Sequence, residues 1–247
     1  MQSLGLIHLL DEEPTLLELL SERERPAARR ALTVNAYRAK SGAWSPDIFG
    51  EGDERPFGLF VLEGLVLREV VVADTNCGEL VGPGELLRPW DELGARAPTP
   101  YEIEWKVVQP LRVALLDSDF GRVLAMWPAL VNAFVDRAVE RSHSLALHVA
   151  IHCLRRVDVS LLVLFSHLAD RFGKVTMEGI VIPIDLTHRD LGKLVGATRQ
   201  SISTALAELA DRDCVVRRPD GAWVMQSNAP AEVENMLSRR QRTAGPA

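Results

Sequence analysis

The sequence predicts an α+β protein with a β-rich N-terminal domain, a long helix and a small mixed C-terminal domain. Three observations support this. Glycine and proline separate short apolar runs over residues 32–116, one long helical pattern follows, and two helical patterns with hairpin signals come last. A chain of 247 residues exceeds one average domain. The predicted segments are 1–127, 128–156, 157–227 and a polar tail over 228–247.

Composition and charge exclude several protein classes. Hydrophobic residues make up 47% and charged residues 25% of the chain, as in ordinary globular proteins. No apolar run approaches the ~20 residues of a membrane-spanning helix. The first residues contain no basic side chain ahead of their short apolar run, so a secretory signal is not expected. Three scattered cysteines fit a reducing compartment, so a cytoplasmic protein without a membrane partner is expected. Residues 1–155 carry 16 basic and 23 acidic side chains, whereas residues 156–229 carry 9 of each.

The N-terminal domain is predicted to begin with helices and to continue as strands. Residues 4–20 have the apolar spacing of one or two short helices, and Pro14 restricts where a helix can begin. Further on, short apolar runs between turn residues at intervals of about ten favour a β-barrel or sandwich. Gly64 is expected in a turn between two strands, because a positive φ is cheap for glycine.

A heptad-like seam follows the long helical pattern. Its positions alternate in spacing between four and three residues over about three heptads, and Pro128 suits the first helical turn. Such a helix would be ~40 Å long, which is more than one small domain needs. The seam predicts a helix that forms a homodimer, and a core helix within one chain is the alternative. Its residues are Val131, Val135, Ala138, Ser142, Leu145, Val149 and His152.

The strongest local signal lies in residues 186–206, where a tight turn separates two helical patterns. Gly196 lies in this turn, and Thr198 can cap the second helix by accepting a backbone N–H. This spacing is typical of a helix-turn-helix, whose second helix can enter a DNA major groove. An ordinary αα-hairpin with a solvated polar face is the alternative. The turn signal at 219–221, inside a later hairpin, favours the winged form.

The outward face of the second helix carries side chains suited to DNA. Arg199 can offer two donors to guanine, and Gln200 can pair with adenine. Neighbouring hydroxyl groups and the helix N-terminus can reach phosphate oxygens. Two arginines of the following hairpin are expected near the DNA backbone. The predicted DNA-binding residues are Thr187, Thr198, Arg199, Gln200, Ser201, Ser203, Thr204, Arg217 and Arg218.

This order of domains resembles the cyclic-AMP receptor protein / fumarate-nitrate regulator family of bacterial transcription factors over residues 30–226. The likeness is closest at 186–210. In the β domain, 49–53 resembles the family's first turn, 60–66 its strand–Gly–strand hairpin and 80–85 the approach to its ligand cassette. The resemblance implies a β-roll of cyclic-nucleotide-binding type, a dimerisation helix and a C-terminal winged helix-turn-helix. It also implies double-stranded DNA and RNA polymerase as partners, and allows an unknown small-molecule effector.

The stretches that grip a cyclic nucleotide in that family differ here. The family's Gly-Glu pair falls on Arg88-Pro89. The phosphate-binding arginine is replaced in the stretch 101–105, where Glu102 and Glu104 would repel a cyclic phosphate. We therefore expect no cyclic-nucleotide cofactor. An iron–sulfur cluster is not expected either, because no cysteine precedes Cys77.

Signals for metal binding and catalysis are weak. His148 and His152 are spaced i, i+4 with Cys153 next to them, a spacing that can share a metal. The sequence fixes no third ligand, so neither metal nor haem is expected, and a structural or dimer role is the alternative. No nucleophile elbow, phosphate-cradling glycine loop or paired metal motif points to an enzyme. The remaining functional alternative is a ligand-binding or protein-interaction module whose DNA binding is weak or lost.

Overall fold

The computed structural model describes residues 1–50, 55–73, 75–91, 98–226, 228–229 and 231–232. The chain divides into two compact units. The N-terminal unit comprises residues 1–74 and 79–145, and the C-terminal unit comprises residues 75–78 and 146–247. Residues 51–53, part of the stretch that resembles the family's first turn, and most of the predicted polar tail lie outside the described residues.

Seven strands form the sheet of the N-terminal unit: β1 (Gln2–His8), β2 (Thr33–Ala39), β3 (Gly42–Trp44), β4 (Gly58–Val72), β5 (Thr75–Val81), β6 (Leu86–Leu87) and β7 (Glu102–Leu116). Their order is β1-β2-β7-β4-β5, with β3 paired to β7 and β6 paired to β4. The two longest strands, β4 and β7, pair antiparallel over almost their full length and hold this sheet together.

Helices cover an apolar part of this sheet: α1 (Leu9–Glu12), α2 (Pro14–Glu18), α3 (Arg25–Ala31), α4 (Phe120–Leu124) and the first turns of α5 (Pro128–His152). Leu9 and Leu16 from the early helices pack in one buried cluster with Phe60 of β4 and Phe134 of α5. Burying such side chains is the main favourable term in folding, so this cluster fixes the start of α5 on the sheet. Among the described helices, none is both long and apolar enough to span a membrane.

The prediction of helix over residues 4–20 is wrong for its first part. Residues 2–8 form β1, which pairs antiparallel with β2 from Gln2 opposite Arg38 to His8 opposite Thr33. Leu6 of β1 is 70% exposed, so this apolar residue does not lie on a helix face that packs into the core. The strand exists because a distant segment supplies its hydrogen bonds, which local spacing does not reveal.

The predicted turn at Gly64 is also wrong, although its positive φ is confirmed. Gly64 has φ +87° but lies inside β4, which continues without reversing. The pairing of β4 with β7 shifts register on both sides of it, as at a β-bulge. A Cβ here would lie 2.2 Å from the carbonyl oxygen of Pro110, so the close approach of the strands requires glycine.

The C-terminal unit combines three helices with a small antiparallel sheet: α6 (Val157–Phe172), β8 (Lys174–Thr176), β9 (Gly179–Ile182), α7 (His188–Val195), α8 (Arg199–Asp211), β10 (Val215–Arg217) and β11 (Trp223–Met225). The strand order is β10-β11-β9-β8. Phe165 of α6 and Trp223 of β11 are fully buried, with ring centroids 5.1 Å apart. The predicted winged helix-turn-helix is confirmed, with α7 and α8 as its two helices.

Candidate nucleic-acid interface

Side chain–backbone hydrogen bonds define the start of α7. The backbone N–H and the hydroxyl of Thr187 both donate to the Asp190 carboxylate, at 3.1 and 2.7 Å. In return, the backbone N–H of Asp190 donates to the Thr187 hydroxyl oxygen at 3.2 Å. This reciprocal capping box satisfies backbone donors that the first helical turn would leave unpaired. The hydroxyl of Thr187, a predicted DNA contact, is therefore already engaged in the cap.

The turn between the helices depends on Gly196. This residue ends α7 in the left-handed conformation, with φ 69° and ψ 38°. A Cβ at this position would lie 2.7 Å from Nδ1 of His152, in the last turn of α5. The turn is thus packed directly against the part of α5 that belongs to the C-terminal unit.

Replacing Gly196 by alanine is expected to destabilise the C-terminal unit. The left-handed conformation and the contact with His152 should together lower the free energy of unfolding by about 1–3 kcal/mol. Chemical denaturation measures this loss. Gly5→Ala is the matched control, because Gly5 also has a positive φ (+84°) but no atom within 4 Å of its Cβ position. Equal losses in the two variants would show that His152 moves aside without strain.

The N-terminal half of α8 presents the predicted DNA-binding face. Thr198 caps the helix by accepting the backbone N–H of Ser201 at 3.2 Å. Arg199 and Gln200 follow on the exposed surface, and Ser203 is exposed one turn later. The opposite face is buried against the unit through Ile202, Ala205, Leu206 and Leu209. Burial of this apolar face holds the polar face outward.

The hydroxyl groups of this face are partly committed within the protein. Ser203 donates to the carbonyl oxygen of Arg199 at 3.0 Å, and Thr204 donates to that of Gln200 at 3.3 Å. The Ser201 hydroxyl is half-buried and lies 2.9 Å from the Thr198 hydroxyl. These groups retain lone pairs, but phosphate oxygens need donors. Arg199 and Gln200 therefore offer side-chain donors on this face, together with the one hydroxyl hydrogen that the Thr198–Ser201 contact leaves unused.

A functional candidate that sequence reasoning missed is His188, in the first turn of α7. Its Nδ1 lies 2.8 Å from the Ser203 hydroxyl oxygen, and its ring is 6.5 Å from that of Trp223. Burial lowers the pKa of His188 below its usual value, and the charges of Arg217 and Arg199 lower it further. The only sequence signal was its place directly after the cap of the first helix.

The two wing arginines lie on the exposed surface, each beside a carboxylate. Arg217 forms an ion pair with Asp185, and its guanidinium lies 5.5 Å from the ring centroid of Trp223. Arg218 lies 3.7 Å from Glu178 and 3.3 Å from the carboxylate of Asp220. These acids partly neutralise the positive charge of the wing. Exposed pairs of this kind exchange readily, so a DNA phosphate can replace the carboxylates.

The predicted seam of α5 lies mostly on exposed surface. Val135 is 55% and Val149 60% exposed, and Val139, which the seam prediction omitted, is 47% exposed. Ala138, Ser142 and Leu145 are exposed as well. The first and last residues of the seam are half-buried instead. Val131 packs against the core of the N-terminal unit. His152 has its Nε2 3.5 Å from Cys77 Sγ in the C-terminal unit.

His148 of α5 is buried beside a second histidine in the C-terminal unit. His148 is 3% exposed, and its ring lies 5.5 Å from that of His167. Its Nδ1 is buried without a hydrogen-bond partner among the described residues. Burial lowers the pKa of His148 to about 4, with smaller contributions from His167 and Arg171. Within the described part of the chain, no three metal-ligating side chains converge.

Residues 159–226 match the family model of the Crp-like helix-turn-helix domain. The C-terminal unit therefore contains a helix-turn-helix domain of the Crp-like type. The chain is similar to the CRP-like cAMP-activated global transcriptional regulator of Mycobacterium tuberculosis, with 27% identity over 207 residues, a match that covers 79% of this chain and 84% of that protein.

Solved structures show the same fold at low sequence identity. A CooA mutant from Carboxydothermus hydrogenoformans superposes with a TM-score of 0.64 at 13% identity, over 94% of this chain and 95% of that one. A CRP/FNR-family transcriptional regulator from Thermus thermophilus gives 0.56 at 18% identity, over 81% and 98%. A cyclic nucleotide-binding domain containing protein from Listeria monocytogenes gives 0.64 at 17% identity, over 87% and 97%. The N-terminal sheet is therefore of the cyclic-nucleotide-binding type.

Several hydrogen-bond donors of this sheet are paired with the protein's own carboxylates. In the stretch that resembles the approach to the ligand cassette, the N–H of Gly82 donates to the Glu85 carboxylate at 2.6 Å. Nearby, the buried carboxylate of Glu79 binds Arg141 at 2.7 Å and Arg68 at 3.2 Å. Nη1 of Arg141 is buried without a hydrogen-bond partner among the described residues. N–H and guanidinium groups are the donors that a phosphate needs, and most of those named here already have a carboxylate partner.

Proposed function

We propose that the protein is a homodimeric regulator that reads a pseudo-palindromic DNA operator by placing α8 in the major groove. One observation carries the proposal. The first turn of α8 is capped by Thr198 and presents Arg199 and Gln200 to solvent, while its other face is fixed in the core. Arginine and glutamine are side chains that distinguish base edges in the major groove. A protein that binds chromosomal DNA in this way would work in the cytoplasm, with RNA polymerase as the expected protein partner.

The exposed apolar face of α5 supports the homodimer. Val135, Val139 and Val149 stand on one side of this helix, each about half exposed or more. A helix that leaves valines in water at heptad spacing gains apolar burial when it pairs with a second copy. Two-fold symmetry would then place two copies of α8 about 34 Å apart, one turn of the DNA helix. The operator is therefore expected to contain two inverted half-sites at this spacing.

We infer that cyclic nucleotides do not control this regulator, unlike the mycobacterial relative, which is described as cAMP-activated. The basis is the occupation of the donors in the N-terminal sheet by Glu79 and Glu85. Selection of bound duplexes from a random pool, with and without cAMP or cGMP, tests both the operator and this inference. We expect the same inverted repeat in all samples. Enrichment only in the presence of a nucleotide would refute the inference and leave DNA binding intact.

Replacing Arg199 by alanine is expected to weaken operator binding by about 1–3 kcal/mol and to relax specificity at one base pair of each half-site. The cause is the loss of two hydrogen bonds to a guanine. Fluorescence anisotropy with the selected operator and with each single-base variant measures the change. Arg122→Ala is the matched control, because Arg122 is an exposed arginine of the N-terminal unit. Unchanged affinity and specificity in the Arg199 variant would refute this role for α8.

Removal of a wing arginine should act differently. Arg217→Ala is expected to weaken binding to all sequences alike and to reduce the salt dependence of affinity, because Arg217 contacts phosphate rather than base. The loss of affinity should be smaller than on removal of an arginine that has no carboxylate partner, because DNA must first displace Asp185 from Arg217. Titrations at several salt concentrations separate this uniform loss from the base-specific loss of the Arg199 variant.

The second candidate is a ligand-binding or protein-interaction module of the same fold with weak DNA binding. The pairing of both wing arginines with carboxylates favours it, because such pairs lower the net attraction for phosphate. Binding to random duplexes at low salt distinguishes the two candidates. A regulator shows affinity that falls steeply as salt rises, whereas the module shows no salt-dependent binding.

A further inference from the structure

The Ser203 hydroxyl contacts both the carbonyl oxygen of Arg199, at 3.0 Å, and Nδ1 of His188, at 2.8 Å. This hydroxyl has one hydrogen to donate. We assign that hydrogen to the carbonyl oxygen, which cannot donate in return, and in this arrangement Nδ1 of His188 is the donor to the hydroxyl oxygen. In the neutral ring, the other nitrogen, Nε2, then carries a lone pair and no hydrogen. Within the described residues, Nε2 makes no hydrogen bond.

Burial and neighbouring positive charges disfavour protonation of the His188 ring in the free protein. Burial lowers its pKa most, and Arg217 of β10 and Arg199 of α8 lower it further. The carboxylate of Asp185 is committed to Arg217, and that of Asp190 in the same helix is committed to the cap with Thr187. The ring also lies near the uncharged Trp223 of β11. No free carboxylate therefore stabilises an imidazolium among the described groups around His188.

Bound DNA would reverse this balance. A phosphate that pairs with Arg217 cancels one of the two positive charges that oppose protonation, and the phosphates of the DNA backbone add negative charge beside the ring. A neutral Nε2 with a lone pair repels a phosphate oxygen, whereas a protonated Nε2 donates a charge-assisted hydrogen bond to it. The imidazole is therefore a poor phosphate ligand when neutral and a good one when it has taken a proton from solvent.

We propose that His188 is a proton-linked contact to the DNA backbone: Nε2 takes up a proton as a phosphate approaches, while Nδ1 continues to hold Ser203 of α8. This inference rests on the proposed DNA-binding function. It adds a pH-dependent contact outside the recognition helix. It also makes His188 a positioning residue for α8, because the donor at Nδ1 orients the Ser203 hydroxyl in both protonation states.

The test measures operator affinity at pH 8, 7 and 6 at constant ionic strength, with the full-length protein and the selected duplex. For the wild type we expect affinity to rise at least about threefold per unit decrease in pH, because binding takes up protons. His188→Asn can still donate to Ser203, because the asparagine amide nitrogen is bonded to Cγ as Nδ1 is, but it cannot titrate, so its affinity should show a much weaker dependence on pH. His188→Gln is the second variant if the first folds poorly.

His8→Gln is the matched control, because His8 is a histidine of the N-terminal unit that hydrogen-bonds Thr33. It should keep the pH dependence of the wild type. NMR titration of the His188 ring gives an independent measurement, and we expect its pKa to be higher in the DNA complex than in the free protein. Wild-type binding with the same pH dependence in His188→Asn, or an unchanged ring pKa, overturns the inference alone. Absence of salt-dependent binding at every pH overturns the proposed function instead.

Discussion

Val149→Glu is expected to dissociate the dimer and to lower operator affinity at least about 100-fold. Val149 is 60% exposed on the apolar face of α5, so the substitution leaves the isolated chain intact. In a helix pair, however, it would bury two like charges without partners, which costs several kcal/mol. A monomer binds only one half-site, and the gain from linking two binding modules is typically 10²–10⁴-fold. Light scattering after size-exclusion chromatography gives the oligomeric state, and anisotropy gives the affinity.

Two further variants make this test specific. Val135→Glu places the same charge on the part of α5 that belongs to the N-terminal unit, and it should act in the same direction. Leu6→Glu is the control, because Leu6 is a 70% exposed apolar residue of β1 and is not part of α5. It should leave both dimerisation and DNA affinity unchanged. If Val149→Glu remains dimeric and binds the operator normally, the chains associate through another surface.

The helix-turn-helix could be predicted from the sequence because its determinants are local. Thr187 and Asp190 cap α7 three residues apart, Gly196 supplies the left-handed turn, and Thr198 caps the helix that follows. Each of these residues acts on backbone groups within one helical turn. Spacing along the chain therefore contains all the information that the two helices need.

The errors and omissions have a common cause in long-range contacts. β1 depends on hydrogen bonds from β2, and Gly64 is set by the carbonyl of Pro110 on a different strand. In the site, His188 gains its role from Ser203, and the charge of Arg217 is moderated by Asp185, 32 residues away. A single sequence shows which side chains are present but not which of them meet. The face of α8 was therefore predictable, while the partners that tune it were not.

Acidification from pH 6.5 to 4 is expected to destabilise the C-terminal unit by about 3 kcal/mol through His148 alone. Burial lowers the pKa of His148 from 6.5 to about 4, so the folded protein keeps this ring neutral. Below pH 6.5 the unfolded chain binds a proton at this residue that the folded chain does not bind. The free energy of unfolding therefore falls with pH until the folded-state pKa is reached, at about 1.4 kcal/mol per unit. Chemical denaturation at a series of pH values measures this slope.

His148→Leu isolates this contribution, because leucine fills most of the same buried space and does not titrate. We expect the variant to lose less stability between pH 6.5 and 4 than the wild type, and the difference between the two curves is the contribution of His148. The carboxylate of Asp158 does not interfere in this window. Burial raises its pKa, but ion pairs with Arg156 and Arg212 outweigh burial and keep that pKa below its ordinary value, so its contribution is lost only below about pH 4. Parallel curves for the two proteins would mean that the His148 ring becomes protonated without opening the fold, and that water or another group reaches its unpartnered Nδ1.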